Sequence, residues 1–282
     1  MKKIVNCSAL ILVAILLLTM IFWGKNYINI SSKTKMKIYN SRMNPTIMVP
    51  GSEATQERFN ETLASLNKQG KKHSILKLTV HKDNSISYSG QIAASDNRPY
   101  IVVAFADNKD SYVTIKKQAK WLDHALDELQ KKYHFKNFNA IGHSNGGLDW
   151  TVYLENYYAK ENFHLNTLMT IGTPYNFEVV NSSNHTQMLQ DLIAAKDALP
   201  DDLTVYNVAG TNSYDGDYIV PITSVETGKY IFQKTIKQYT QITVTGNEAE
   251  HSDLPTNKEV LDLISENILN NNRKKVDPKN QN

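Results

Sequence analysis

A serine works as an acyl-transfer nucleophile only when its hydroxyl stands clear of its own backbone, beside donors that can receive an oxyanion and within reach of a base. Residues 138–148, Phe-Asn-Ala-Ile-Gly-His-Ser-Asn-Gly-Gly-Leu, have the composition for such a display. A short apolar run leads into Gly142-His143-Ser144-Asn145-Gly146, and a helical pattern follows. This is G-x-S-x-G in a strand-to-helix setting, the nucleophile elbow, where the turn is so tight that the positions two before and two after the serine must be nearly free of side chain. Gly142 and Gly146 meet that demand, and Ser144 is the candidate nucleophile. The helix that starts behind it aims its first N–H groups at the reacting atom.

The serine needs a base, and the base needs a carboxylate to hold its tautomer. Three histidines follow Ser144: His164, His185 and His251. His164 opens a predicted strand, and His185 sits in an Asn-rich stretch. His251 lies in the loop between the last predicted strand and the last predicted helix, where a base can reach the serine's end of a sheet. The acid should follow the strand before that. Leu203 to Gly210 is such a strand, and the loop Asp215-Gly216-Asp217-Tyr218-Ile219-Val220-Pro221 behind it offers Asp217 or Asp215. Asp-Gly-Asp is also ordinary turn chemistry. Two carboxylates are too few for a metal site, and the chemistry needs no metal and no cofactor.

These residues need a scaffold, and the hydrophobic pattern predicts one. Strands are expected at 45–49, 75–80, 85–88, 100–105, 165–171, 203–208 and 241–244, with the pair around Asp83-Asn84 forming a hairpin. Helices are expected over 57–68, 112–133, behind the elbow, and over about 257–270. The long helix carries Ile115, Ala119, Leu122, Leu126 and Leu129 on one face. Strands alternating with helices imply a mostly parallel sheet covered on both sides, an α/β fold. Residues 176–200 have helical pieces without a strand and are expected to form a small lid beside the site.

The chain has 282 residues, enough for one large α/β domain. Its net charge is +3 with both signs interspersed, which points away from a nucleic-acid surface. The single cysteine, Cys7, excludes an intramolecular disulfide and a cysteine-rich metal site. Met1-Lys2-Lys3 precedes an apolar stretch from Ile4 to Trp23, long enough to span a bilayer, with no small-x-small cleavage pattern after it. The expected organisation is therefore a signal peptide or membrane anchor over 1–25, a polar tether over 26–42, the α/β domain over 43–271 and a disordered tail over 272–282. An uncleaved anchor places the domain outside the cell, attached to the membrane; a cleaved one makes it secreted.

Five motifs in order, Pro50-Gly51-Ser52, Gly142 to Gly147, Ile171-Gly172-Thr173-Pro174, Asp217 to Pro221 and His251-Ser252-Asp253-Leu254, resemble a bacterial family of α/β-hydrolases of unknown function (DUF915-like). Its members are typically exported or cell-surface proteins of Gram-positive bacteria. The resemblance covers about residues 43–270. It implies the α/β-hydrolase fold, Ser144 as nucleophile, His251 as base, and Asp217 as acid, four residues before the proline of its loop. Many α/β-hydrolases carry His-Gly after the first core strand where this chain has Pro50-Gly51. The Ser52 and Asn145 amides can still form the oxyanion hole. The implied activity is hydrolysis of a lipid or small acyl ester through an acyl-enzyme. The alternatives are acyl transfer to a cell-envelope acceptor and a surface binding module that keeps the fold without catalysis.

Overall fold

The computed structural model describes residues 19–20, 42–212 and 215–270. The expected anchor, tether and C-terminal tail lie outside these residues, apart from Thr19, Met20 and Arg42. Among the described residues no helix is long and apolar enough to cross a membrane.

Eight strands form one sheet: β1 Thr46–Val49, β2 Ile75–Val80, β3 Ile86–Gly90, β4 Tyr100–Phe105, β5 Asn137–His143, β6 His164–Ile171, β7 Thr204–Thr211 and β8 Gln238–Thr245. Their spatial order is β3-β2-β4-β1-β5-β6-β7-β8. All neighbours run parallel except β2 and β3, the predicted hairpin, which are antiparallel. The Asp83 carboxylate accepts from the Ser85 N–H, and Asn84 takes φ 65°, so the expected turn residues close that hairpin.

Both faces of the sheet are covered, and each strand shows why. In β4, Ile101, Val103 and Phe105 enter one apolar cluster, while Tyr100 and Val102 enter the other. Such period-2 alternation with apolar residues on both sides is the mark of a buried parallel strand. One layer contains α2, Tyr112–Tyr133, whose Ile115, Ala119, Leu122, Ala125, Leu126 and Leu129 are fully buried. Its start is capped by the Ser111 hydroxyl, which accepts from the Thr114 N–H at 3.1 Å. The other layer contains α1, Asn60–Gln69, and α7, Lys258–Ile264. Between them in sequence come α3, Asn145–Asn156, α4, Gln187–Ala195, and two short helices, α5 Ile222–Glu226 and α6 Lys229–Phe232.

The chain reverses its direction of winding at the centre of the sheet. From β1 it passes to β2, β3 and β4 on one side; from β5 it passes to β6, β7 and β8 on the other. Loops leaving the carboxyl ends of β1 and β5 therefore diverge and leave a crevice, the position where open α/β sheets bind ligands. The register pairs Val49 with Gly142, so Pro50-Gly51-Ser52 and Ser144 leave the sheet at one level.

Two helix boundaries shift. The first helix begins at Asn60, not Glu57, because residues 56–59 form turns. The last helix ends in a π-turn over Ser265–Leu269, which takes up the final part of the predicted span.

Candidate active site

Ser144 sits between β5 and α3 at φ 55°, ψ −129°, a conformation that side-chain-bearing residues rarely adopt. Its N–H donates to the Ile171 carbonyl at 2.8 Å, which ties the elbow to the end of β6. The flanking glycines are there for space. A Cβ on Gly142 would lie 2.5 Å from the Gly147 nitrogen, and one on Gly146 would lie 2.1 Å from the Val49 oxygen. Both obstacles are backbone and cannot swing aside. The loop after β1 presses on the serine as well, since a Cβ on Gly51 would stand 2.5 Å from that of Ser144.

His251 and Asp217 come from the loops after β8 and β7. The His251 Nδ1–H donates to Asp217 Oδ2 at 2.7 Å, and both residues are buried. The other carboxylate oxygen, Oδ1, accepts from the N–H groups of Ile219 and Val220 at 3.1 and 2.7 Å. The carboxylate therefore has a defined orientation, with one oxygen held by its own turn and the other facing the imidazole. The two loops are also stitched together by the His251 N–H, which donates to the Asp217 carbonyl at 2.9 Å. Ser144 and His251 border one cavity of about 430 Å³ at the carboxyl edge of the sheet, together with Ser52 and Asn145. The Asn145 side chain is held by Asp110, its Nδ2 donating at 2.8 Å.

The competing candidates lie elsewhere. His164, the first residue of β6, is at the opposite end of the sheet and pairs with Asp202 at 3.4 Å. His185 packs its ring against Tyr230 at 5.5 Å. Asp215 is exposed and uses its backbone carbonyl to accept from the Ile222 N–H. The expected lid begins as a loop whose Phe177 and Glu178 line the cavity, and continues into α4.

Three site residues escaped the sequence reading as individuals. His143, inside the elbow motif, donates from Nε2 to the His251 carbonyl at 2.9 Å, and the two rings lie 4.8 Å apart. Burial, reinforced by the neighbouring His251 and Arg58, pushes its pKa well below the ordinary histidine value, so it stays neutral beside the pair. Gly172, at φ 59°, leaves room for the His251–Asp217 hydrogen bond; a Cβ there would come within 3.2 Å of Asp217 Oδ2 and His251 Nδ1. Arg58 reaches across to the Ser252 carbonyl and lines the same cavity. A glycine ending β6 was a legible signal for the second. Nothing in the sequence marks the first or the third, whose contacts span 108 and 194 residues.

Among the described residues no group of three or more His, Cys, Asp or Glu side chains could hold a metal ion.

Comparison with known proteins agrees with this architecture. Residues 33–271 match a family described as alpha/beta hydrolase of unknown function, DUF915. A solved structure from Lactobacillus plantarum, named a cell surface hydrolase by assignment, is 50% identical, with a TM-score of 0.75 over 81% of this chain and 92% of that one. A gene product of Listeria innocua is 26% identical, with a TM-score of 0.71 over 79% of this chain and 92% of the other. The mature form of a Bacillus licheniformis lipase shares the fold at 11% identity, with a TM-score of 0.50 over 80% of this chain and 92% of that one. No curated protein matches the chain.

Proposed function

Because the chain belongs to the DUF915 family of α/β-hydrolases, we propose that it is a serine hydrolase of carboxylic esters with Ser144 as nucleophile, His251 as base and Asp217 as acid. The observation that carries this reading is the buried 2.7 Å hydrogen bond from His251 to Asp217, on the cavity that Ser144 borders. With Nδ1–H committed to the carboxylate, Nε2 is left as an acceptor, the tautomer a general base requires.

His251 Nε2 takes the Ser144 proton as Oγ attacks the ester carbonyl. The Ser52 and Asn145 N–H groups receive the oxyanion, each worth roughly 3–4 kcal/mol in comparable sites. The tetrahedral intermediate collapses, the alcohol leaves with the proton from His251, and an acyl-enzyme remains. Water, deprotonated by the same nitrogen, then releases the acid. Asp217 orients the imidazole and stabilises the imidazolium that forms. The substrate is a lipid or small acyl ester, and the site of action is the cell surface, in keeping with the name of the Lactobacillus relative. The apolar segment over residues 4–23 would export the domain and hold it at the membrane.

A fluorophosphonate probe should label the domain and fail to label Ser144→Ala. A wild-type domain that is folded yet unlabelled would sink the reading and favour a binding module.

A further inference from the structure

Of the eight strongly exposed large hydrophobic side chains among the described residues, three lie together at one rim of the catalytic cavity: Val180, 68% exposed, Tyr218, 66%, and Ile219, 57%. They line a second, mainly apolar cavity of about 540 Å³ with Val220, Pro221 and Ile222, and Asp215 and Thr223 border it. Ile219 and Val220 border both cavities, so the apolar groove adjoins the catalytic one. Its walls are anchored. Thr223 Oγ1 donates to the Val180 carbonyl at 2.8 Å and joins the two loops. Gly216 and Pro221 form an antiparallel bridge, and Ile222 N–H donates to the Asp215 carbonyl at 3.0 Å. The turn that clamps Asp217 thus also presents the apolar rim.

The lining of the catalytic cavity that the groove does not share includes the polar Glu53, Arg58, Asp110 and Ser252. An ester lying across Ser144 is therefore divided into an apolar and a polar half. The leaving alcohol must take its proton from His251, whose chain neighbour Ser252 lines the cavity with the Arg58 guanidinium bound to its carbonyl. The alcohol half belongs there. We infer that the Val180–Tyr218–Ile219 groove is the acyl-chain subsite, and that the substrate class is an ester of a medium or long unbranched acyl chain with a polar alcohol. This inference rests on the serine-hydrolase reading above. An apolar rim of this kind also gains contact for each added methylene, because every CH₂ removed from water is worth about fourfold in an equilibrium constant when fully buried.

The test uses two ester series held below their micellar concentrations: p-nitrophenyl esters from butanoyl to decanoyl, and alkyl acetates from butyl to decyl. In the wild-type protein, kcat/KM should rise by roughly tenfold or more along the acyl series, allowing for partial burial of each methylene, and by less than about threefold along the alcohol series. In Val180→Ser/Tyr218→Asn the decanoyl-to-butanoyl ratio should collapse to within about threefold of unity, asparagine being chosen because it tolerates the φ of 70° at position 218. A flat acyl profile in the wild type overturns the subsite whatever the variant does. So does a rise along the alcohol series instead, or a labelled double variant that keeps the wild-type ratio. Hydrolysis of butanoyl esters without chain preference leaves the hydrolase reading standing, whereas no hydrolysis and no fluorophosphonate labelling would remove both.

Discussion

The backbone of Ser144 makes the proposed nucleophile's own position a place where function is held against stability. At φ 55°, ψ −129° a side-chain-bearing residue stores on the order of 1–3 kcal/mol, in a region that glycine occupies freely. Ser144→Ala removes the hydroxyl and keeps the strain. Ser144→Gly removes both. Against that relief stand the extra freedom glycine gains in the unfolded chain, about 0.5–1 kcal/mol, and the loss of one buried carbon, less than about 0.8 kcal/mol. The balance leaves Ser144→Gly more stable than Ser144→Ala by about 1 kcal/mol, which in a domain of this size is a rise in Tm of about 2–4 °C. Both variants should be catalytically dead, so the comparison is free of substrate effects. Urea denaturation at pH 7.5, with m-values checked for equality, and calorimetry on the same samples give the readout. If Ser144→Gly melts at or below Ser144→Ala, the strain is not stored where the geometry places it.

Two further perturbations follow from the hydrogen bonds and the buried acids. In Asp217→Asn the oxygen that accepts from Ile219 and Val220 N–H must remain an oxygen, so the new amide NH₂ faces His251 Nδ1. That selects the tautomer with Nε2 protonated, and kcat should fall about 10³–10⁴-fold, with stability little changed; a loss under tenfold would show that the carboxylate does not set the tautomer. Glu155, in α3, is buried with one carboxyl oxygen lacking a partner, and burial raises its pKa to about 9. Folded protein therefore holds a proton there that the unfolded chain releases above about pH 4.5, so this group costs stability as pH rises between those values, by up to about 1.4 kcal/mol per unit. Glu155→Gln should remove that slope, making the variant more stable than wild type at pH 8 and nearly equal at pH 5; parallel stability–pH curves from urea titrations would refute it.

Much of the scaffold was legible because the signals that specify it are local. The apolar stripe of Tyr112–Tyr133 repeats at helical spacing, and its start and end coincide with the Ser111 cap and the left-handed His134. The strands from Ile75 and Tyr100 are bounded as predicted, since each is a short apolar run between turn residues. The short helices over Ile222–Phe232 were not anticipated: four and five residues are too few to show a period. β8 starts three residues before the predicted Gln241 because its pairing with β7, from Thr204–Gln238 onward, holds polar residues that no hydrophobic pattern marks.

The sequence by itself determined the elbow, because the two glycines and the serine answer to steric limits within a few bonds of one another. It also narrowed the base to one loop by chain order. Residue types alone left Asp215 and Asp217 side by side, and the family resemblance favoured Asp217. The tertiary structure adds their surroundings, burying Asp217 against His251 and turning Asp215 to solvent. The partners are 34 residues apart, on loops whose closeness depends on the β7–β8 register and on the space left by Gly172. Spacing along a chain records which side chains are available; which two can share a proton depends on distances that exist only once the sheet has formed.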